Sequence, residues 1–232
     1  MTGLIEWFGD PANWVGANGV PVRLGEQLVI TGAAVLIAAV IALPIGIFTG
    51  HVGKWSSAVT NVANLGRAIP TFALLLLLAA VGGVGVNAAI VALALFAIPP
   101  ILTNANIAIV GVDSQARLAG RAMGFTGWQL LLRVELPLAM PLIFAGLRTA
   151  TVQVTATATL AALVGGGGFG RYILDGFALQ NTTIVLAGVV LVAALTITME
   201  AALAFVQAVL TSRNKSASGH MKSGFLRALR TA

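Results

Sequence analysis

Residues 113–141 read DSQARLAGRAMGFTGWQLLLRVELPLAMP. This Arg-bearing island lies between long apolar runs, and its reading decides how the rest of the chain is organised. Ala116, Ala119, Gly120, Ala122 and Gly124 keep a short helix nearly free of bulk, so a partner surface can approach closely. Leu118, Ala122 and Phe125 recur at helical spacing and give the helix an apolar knob. Gly124 is placed to end it, because glycine tolerates a left-handed backbone. Pro137 and Pro141 then open the next apolar helix, where a missing N–H costs little. The competing reading is a solvated loop with one helical turn.

Outward from the island the chain is strongly apolar. Apolar residues make up 58% and charged residues 9%, against about 25% charge in a soluble domain. The expectation is an all-α integral membrane protein of one domain. Cysteine is absent, which excludes disulfides, thiolate chemistry and Cys metal sites. His51 and His220 are far apart and outside the apolar runs, so they are expected to face solvent and not to bind metal. Residues 1–23 carry acids without the basic start of a cleavable signal. The net charge of +6 sits mainly in short segments beside apolar runs, which is a topology signal and not a nucleic-acid surface.

A spanning helix needs about 20 mainly apolar residues. Five segments qualify: about 27–50 with Pro44 as a kink, 57–81 hinged near Pro70, 87–110 interrupted at Pro99-Pro100, 138–164, and 182–210. Residues 1–26 form an N-terminal segment whose Trp7, Phe8 and Trp14 either line the membrane interface or pack under an external loop. Residues 27–212 form the transmembrane domain. Residues 213–232 form a basic tail expected to be mobile and able to meet anionic lipid headgroups. Placing the 113–137 loop in the cytoplasm puts Lys54, Arg117, Arg121, Arg133 and the tail cations inside, with Arg67 near the inner boundary. Only Arg23 and Arg171 then lie outside. The positive-inside bias therefore sets the N-terminus outside and the C-terminus in the cytoplasm.

The spacing Leu118-Ala119-Gly120, three residues, Gly124, nine residues, Val134, one residue, Leu136-Pro137 resembles the cytoplasmic "EAA" loop of ABC-importer permeases. Leu118 stands where that family usually has Glu, so a salt bridge made by that Glu is missing here. GRAIPTFALLLLL (66–78), PPILTNANIAIVGVDSQARLAGRAMG (99–124) and AGLRTATVQVTATATLAALVGGGGFGRYI (145–173) are similar to the glycine betaine, carnitine and choline permeases. The third span has Asn104-Ala105 in place of their usual Asn-Thr. The similarity covers about residues 25–212. It implies the type I importer permease fold in the plasma membrane of a prokaryote, with a cytoplasmic docking helix formed by Leu118, Ala119, Gly120, Arg121, Ala122, Gly124 and Phe125 and followed by Pro137. It further implies cytoplasmic ATPase subunits that hold ATP and Mg, an external solute-binding protein, and a second permease subunit, either a copy or a paralogue. No cofactor is expected on this chain itself.

Polar residues in the apolar segments are the candidates for a solute path: Asn61, Asn64, Asn104, Gln153 and Thr157. In 145–164 a helix puts Thr149, Gln153 and Thr157 on one stripe and Thr151, Thr155 and Thr159 on a nearly opposite one. The threonine hydroxyls are expected mostly to bond their own helix carbonyls, which leaves Gln153 as the better path residue. Arg148 and Glu200 lie at matching depth, about 15 Å from one face. They either pair or reach water separately. The run Gly165–Gly168 has no Lys-Ser/Thr pair and follows an apolar helix, so a phosphate loop is discounted. A flexible outer gate and an ordinary tight turn both remain. With one tyrosine and no tryptophan cluster in a span, an aromatic cage for a quaternary ammonium is not expected. Selectivity would then lie mainly with the binding protein. A permease for another small solute, such as an amino acid, is the alternative. A channel or scaffold would not need a docking loop, and an enzyme would need clustered catalytic side chains.

Overall fold

The computed structural model describes the backbone of residues 2–54 and 56–228. It describes side chains for 3–54 and 56–209, apart from 60, 62, 64 and 67. The described residues are helical throughout, joined by short turns. The helices are α1 (Thr2–Gly9), α2 (Val20–Val52), α3 (Ser56–Ala68), α4 (Thr71–Gly82), α5 (Val86–Val110), α6 (Ser114–Ala122), α7 (Gly127–Leu130), α8 (Leu136–Thr157), α9 (Gly170–Ala178) and α10 (Thr182–Ala228). A π-helical turn, Leu131–Glu135, joins α7 to α8, and a 3-10 segment, Ala158–Val164, continues α8.

Four stretches are long and apolar enough to cross a membrane: Val20–Val52, Val86–Val110, Gly127–Val164 and Thr182–Val209. The second predicted span is instead two short helices, α3 and α4, broken at Ile69-Pro70. Proline at 70 pushes its predecessor out of the α region and lacks the N–H to continue the ladder.

Several boundaries differ from the sequence-based ones. Helix α2 starts at Val20 and not near Gln27, because Pro21 opens it and Arg23 and Glu26 pair with each other in its first turns. Helix α5 runs unbroken through Pro99-Pro100, against the expected interruption. Both prolines are buried, and Thr103 Oγ1 and Asn104 Nδ2 donate to the Pro99 and Pro100 carbonyls, each at 2.8 Å. These are back-bonds within the following turn; it is burial among neighbouring helices that makes proline tolerable in an apolar helix. Pro137 opens α8, but Pro141 lies inside it. Helix α10 continues as helix through the segment expected to be a mobile tail. No proline follows residue 141 to stop it. Side chains beyond residue 209, His220 and the tail cations among them, lie outside the described residues.

The core is built from small side chains. On α2, Ala34, Ala38, Ala42, Gly46 and Gly50 recur every four residues and are buried, so they form one stripe. A methyl at Gly46 would meet the Ala105 Cβ and the Leu102 carbonyl at 2.8 Å, and one at Gly50 the Ile109 Cβ at 2.8 Å. The α2 and α5 backbones therefore approach closely, the geometry that small-residue stripes permit between apolar helices. Asn106 on α5 donates to Thr49 Oγ1 on α2 at 3.0 Å. Helix α8 packs against both α5 and α2, and α10 lies against α8 and α9. Much of the outward surface of α2 and α10 is large and apolar, including Leu36, Val40, Phe48, Ile197 and Phe205.

Candidate functional site

The end of the bundle that carries α6 is the site singled out by the sequence. Asp113 caps α6, its carboxylate accepting from the Gln115 N–H at 2.8 Å. At the other end Gly124 has φ +79°. The Phe125 N–H donates to the Gly120 carbonyl at 3.1 Å and the Gly124 N–H to the Arg121 carbonyl at 2.9 Å. This pair of bonds is a Schellman stop, and it needs a left-handed residue at its second-last place, which Gly124 fills. Thr126 then starts α7 with a reciprocal capping box to Gln129. Two hard turns thus hold α6 as a separate projecting element.

Its exposed surface is formed by Leu118 (55% exposed), Ala119, Arg121, Ala122 and Met123 (66%). Two of the predicted docking residues face the other way. Gly120 is buried, with a Cβ there falling 2.7 Å from Leu130 Cδ1 and 3.5 Å from Phe125. Its lack of bulk lets α6 lie on its own subunit. Phe125 is half-buried beneath Arg133, whose guanidinium carbon lies 5.8 Å from the ring centroid. The knob is therefore Leu118, Ala122 and Met123. Pro137 is exposed at the start of α8.

A buried acid behind α6 escaped the sequence reading. Glu135 lies on the π-helical turn and contacts His51 on α2 and Arg117 on α6. His51 is therefore not simply solvent-facing; it sits half-buried against this carboxylate. The available signal was a lone acid inside the apolar run LLRVELPLA.

The solute-path candidates do not converge on one point. Asn61 lines a cavity of about 500 Å³ with Ser57, Asn106, Ile107 and Val110, close to the end that carries α6. The side chain of Asn64 lies outside the described residues. Asn104 packs tightly on Gly146 of α8, where a Cβ would fall 2.3 Å from its own. Gln153 is exposed and Thr157 half-exposed on one side of α8. All five threonine hydroxyls of this helix and its 3-10 extension bond carbonyls three or four residues back, at 2.8–3.0 Å. On the Thr149–Gln153–Thr157 stripe the threonine hydroxyl protons are therefore committed within the helix, which leaves the exposed Gln153 amide for another partner. Deeper in α8, the Arg148 guanidinium meets the Glu200 carboxylate of α10 and donates to Gln207 Oε1 at 2.9 Å. The Gln207 amide in turn donates to the Pro141 carbonyl at 3.4 Å.

At the opposite end, Gly165–Gly168 forms a packed turn. Glu26 Oε2 accepts from the Gly168 N–H at 2.8 Å and Gln27 Oε1 from the Phe169 N–H at 3.2 Å. Gln27 is wholly buried and also donates to the Thr155 carbonyl at 2.9 Å. Beside the turn, Trp7 of α1 stacks edge-on to Tyr172 at 5.5 Å, and the Tyr172 hydroxyl donates to the Asn18 carbonyl at 2.6 Å. Burial holds that phenol above its ordinary pKa, with Arg23 pulling it down and Glu26 pushing it up, so it stays a donor at neutral pH. The N-terminal aromatics thus include one packed against the α9 turn, while Trp14 remains exposed.

A bundle of long apolar helices with a capped helix projecting from one end defines a multi-pass membrane protein with one element held outside its spans. Residues 42–215 match the binding-protein-dependent transport system inner membrane component family, and the chain belongs to that family. Among its relatives, the glycine betaine/carnitine/choline transport system permease protein OpuCB of Bacillus subtilis is 36% identical over 191 residues, covering 82% of this chain and 88% of that protein. The choline transport system permease protein OpuBD of Bacillus subtilis is 35% identical, covering 87% and 90%. The osmoprotectant import permease protein OsmW of Salmonella typhimurium is 34% identical, covering 81% and 90%. Among solved structures, an inward-facing MetNI methionine ABC transporter chain superposes with a TM-score of 0.72 at 25% identity, covering 87% of this chain and 98% of that one. The chain is thus a non-catalytic permease subunit of an importer, with the type I permease fold.

Proposed function

We propose that this subunit forms the solute path of an ATP-driven importer for a small quaternary-ammonium osmoprotectant such as glycine betaine, choline or carnitine, or for proline. The observation that carries the solute class is that relatives covering more than four-fifths of this chain share that class in their names. The division of labour follows from the family. An external binding protein delivers the solute, two cytoplasmic ATPase subunits hold ATP and Mg, and a second permease, self or paralogue, completes the path. The lipid bilayer surrounds the rest. The N-terminus lies outside and the C-terminus in the cytoplasm, so α6 is cytoplasmic. Its exposed Leu118, Ala122 and Met123 enter the ATPase groove, and ATP-driven closure of the ATPase pair moves the bundle from inward-open to outward-open.

The path runs along the exposed Gln153 and Thr157 face of α8. An amide facing hydrocarbon is costly, so this face meets water or the second permease. It passes the Asn104 level and leaves by the Asn61–Asn106 cavity. These lining groups are neutral and polar, without an aromatic cage, which suits a weak site whose selectivity lies with the binding protein. Uptake of labelled glycine betaine, choline, carnitine and proline by cells carrying the complete importer tests the assignment. Saturable uptake of at least one, abolished by deleting this subunit, is expected. The likeness to the methionine transporter chain favours an amino-acid importer as the second reading. Uptake of methionine and none of the four osmoprotectants would select it.

A further inference from the structure

One buried carboxylate fastens the projecting helix α6 to the spans. Glu135 is 2% exposed and lies two residues before Pro137. Its Oε2 is 2.5 Å from Nδ1 of His51, in the last turn of α2. Its Oε1 is 3.1 Å from Nε of Arg117 on α6. That nitrogen makes no hydrogen bond, so the contact is an ion pair off the N–H axis. The other end of the Arg117 guanidinium donates to the Ile109 carbonyl, near the end of α5. Glu135 and Arg117 together thereby join α2, α5 and the start of α8 to α6. Glu135 stands on a π-helical turn, whose Leu136 N–H bonds the Leu131 carbonyl five residues back. Such turns recur at functional positions.

Packing alone does not explain this arrangement. Leu130 and Val134 already close on Gly120 and seat α6. An apolar residue in place of a buried ion pair is often as stable or more so. A carboxylate held between Arg117 of α6 and the imidazole of His51 on α2 differs from apolar contact in one respect. It fixes one register of those elements, and it is lost as a unit when they separate. Arg133, on the same π-helical turn, is turned onto Phe125 instead.

We propose that Glu135 is the positioning residue through which displacement of α6 is passed to α2, α5 and α8. It acts through Arg117 and His51. The proposal rests on the reading of α6 as the ATPase-docking helix.

The test uses the complete importer in proteoliposomes and reads solute uptake per ATP hydrolysed, which a purely structural role would leave unchanged in the assembled complexes. Glu135→Gln keeps the shape and removes the charge. Uptake per ATP is expected to fall by at least about fivefold, the lower range of coupling between sites, while ATP is still hydrolysed. The exchange Arg117→Glu with Glu135→Arg should recover more coupling than either single change. Wild-type uptake per ATP in Glu135→Gln overturns the proposal, as does a loss of assembled complex with normal coupling in what remains. Should Glu135→Gln not assemble, His51→Gln and Arg117→Lys are measured in the same way. Lowered coupling supports the proposal, and wild-type coupling in both overturns it. Cross-linking Met123→Cys, the only cysteine in this subunit, to the ATPase separates the two layers. No cross-link at all defeats the docking reading, whereas a normal cross-link with normal coupling in Glu135→Gln defeats only the role of Glu135.

Discussion

Gly165, Gly167 and Gly168 have φ of +78°, +82° and +75°, so any side chain there is strained by backbone alone. Their surroundings differ. A Cβ at Gly167 would fall 2.4 Å from Glu26 Oε2 and one at Gly168 2.3 Å from Gln27 Oε1, whereas at Gly165 nothing lies closer than 4.0 Å. Gly165→Ala should therefore cost only the left-handed penalty, about 1–2 kcal/mol. Gly168→Ala should cost more, because it also displaces buried Gln27. Melting temperatures of the detergent-solubilised variants check the order, and equal losses would contradict it. Gln180 offers the converse case. It has φ +50° at the end of α9, where the Asn181 N–H closes on the Gly176 carbonyl at 2.8 Å. Gln180→Gly should raise stability by roughly 1 kcal/mol, seen as a higher melting temperature. The glycine run was legible as a turn from composition. Its partners were not, because Glu26 and Gln27 lie 142 residues earlier and local pattern carries no such pairing.

At the scale of elements, helix α6 was legible because its stop and start signals are local. Asp113, Gly124 and Thr126 each act within a few residues. Gly124→Trp should unseat the Schellman stop without touching a span, so insertion should persist while uptake falls. Wild-type uptake with normal assembly would remove the docking role of this turn. What local pattern could not show was which face of α6 is inward. Gly120 and Phe125 read as parts of a knob until Leu130, Val134 and Arg133 were placed beside them. Helix α5 was misread at Pro99-Pro100 for a related reason: the breaking tendency is overridden by burial against neighbouring helices, which local pattern does not show. Arg148, Glu200 and Gln207 carry the polar bonds described between α8 and α10. Arg148→Ala and Glu200→Ala should each lower folded yield, and Arg148→Met with Glu200→Gln should cost less than the two singles combined. Strictly additive losses, measured as purified yield and melting temperature, would mean that the pair does not contribute as a unit.

For the whole molecule, periodicity and apolar length located the spans, because lipid forces every backbone group to be satisfied within a helix. The split of the second span into α3 and α4 was signalled by Pro70. The number of crossings still depends on counting that broken pair as one. Cysteines at Ser114 and Val84, both exposed, should label from opposite sides in intact cells, with no other cysteine in the chain to interfere. Gly85 is avoided because its φ of +142° admits no side chain readily. Labelling of both from outside would contradict the orientation with α6 in the cytoplasm. The central claim is that this bundle moves solute only when a docked ATPase drives it and a binding protein delivers the cargo. Its most direct test is uptake of labelled glycine betaine, choline, carnitine and proline into proteoliposomes containing the complete importer, with ATP or the binding protein withheld in turn. Uptake against a gradient that needs both is the predicted result. Uptake that persists without ATP and stops at equal concentrations would describe a channel and contradict the account.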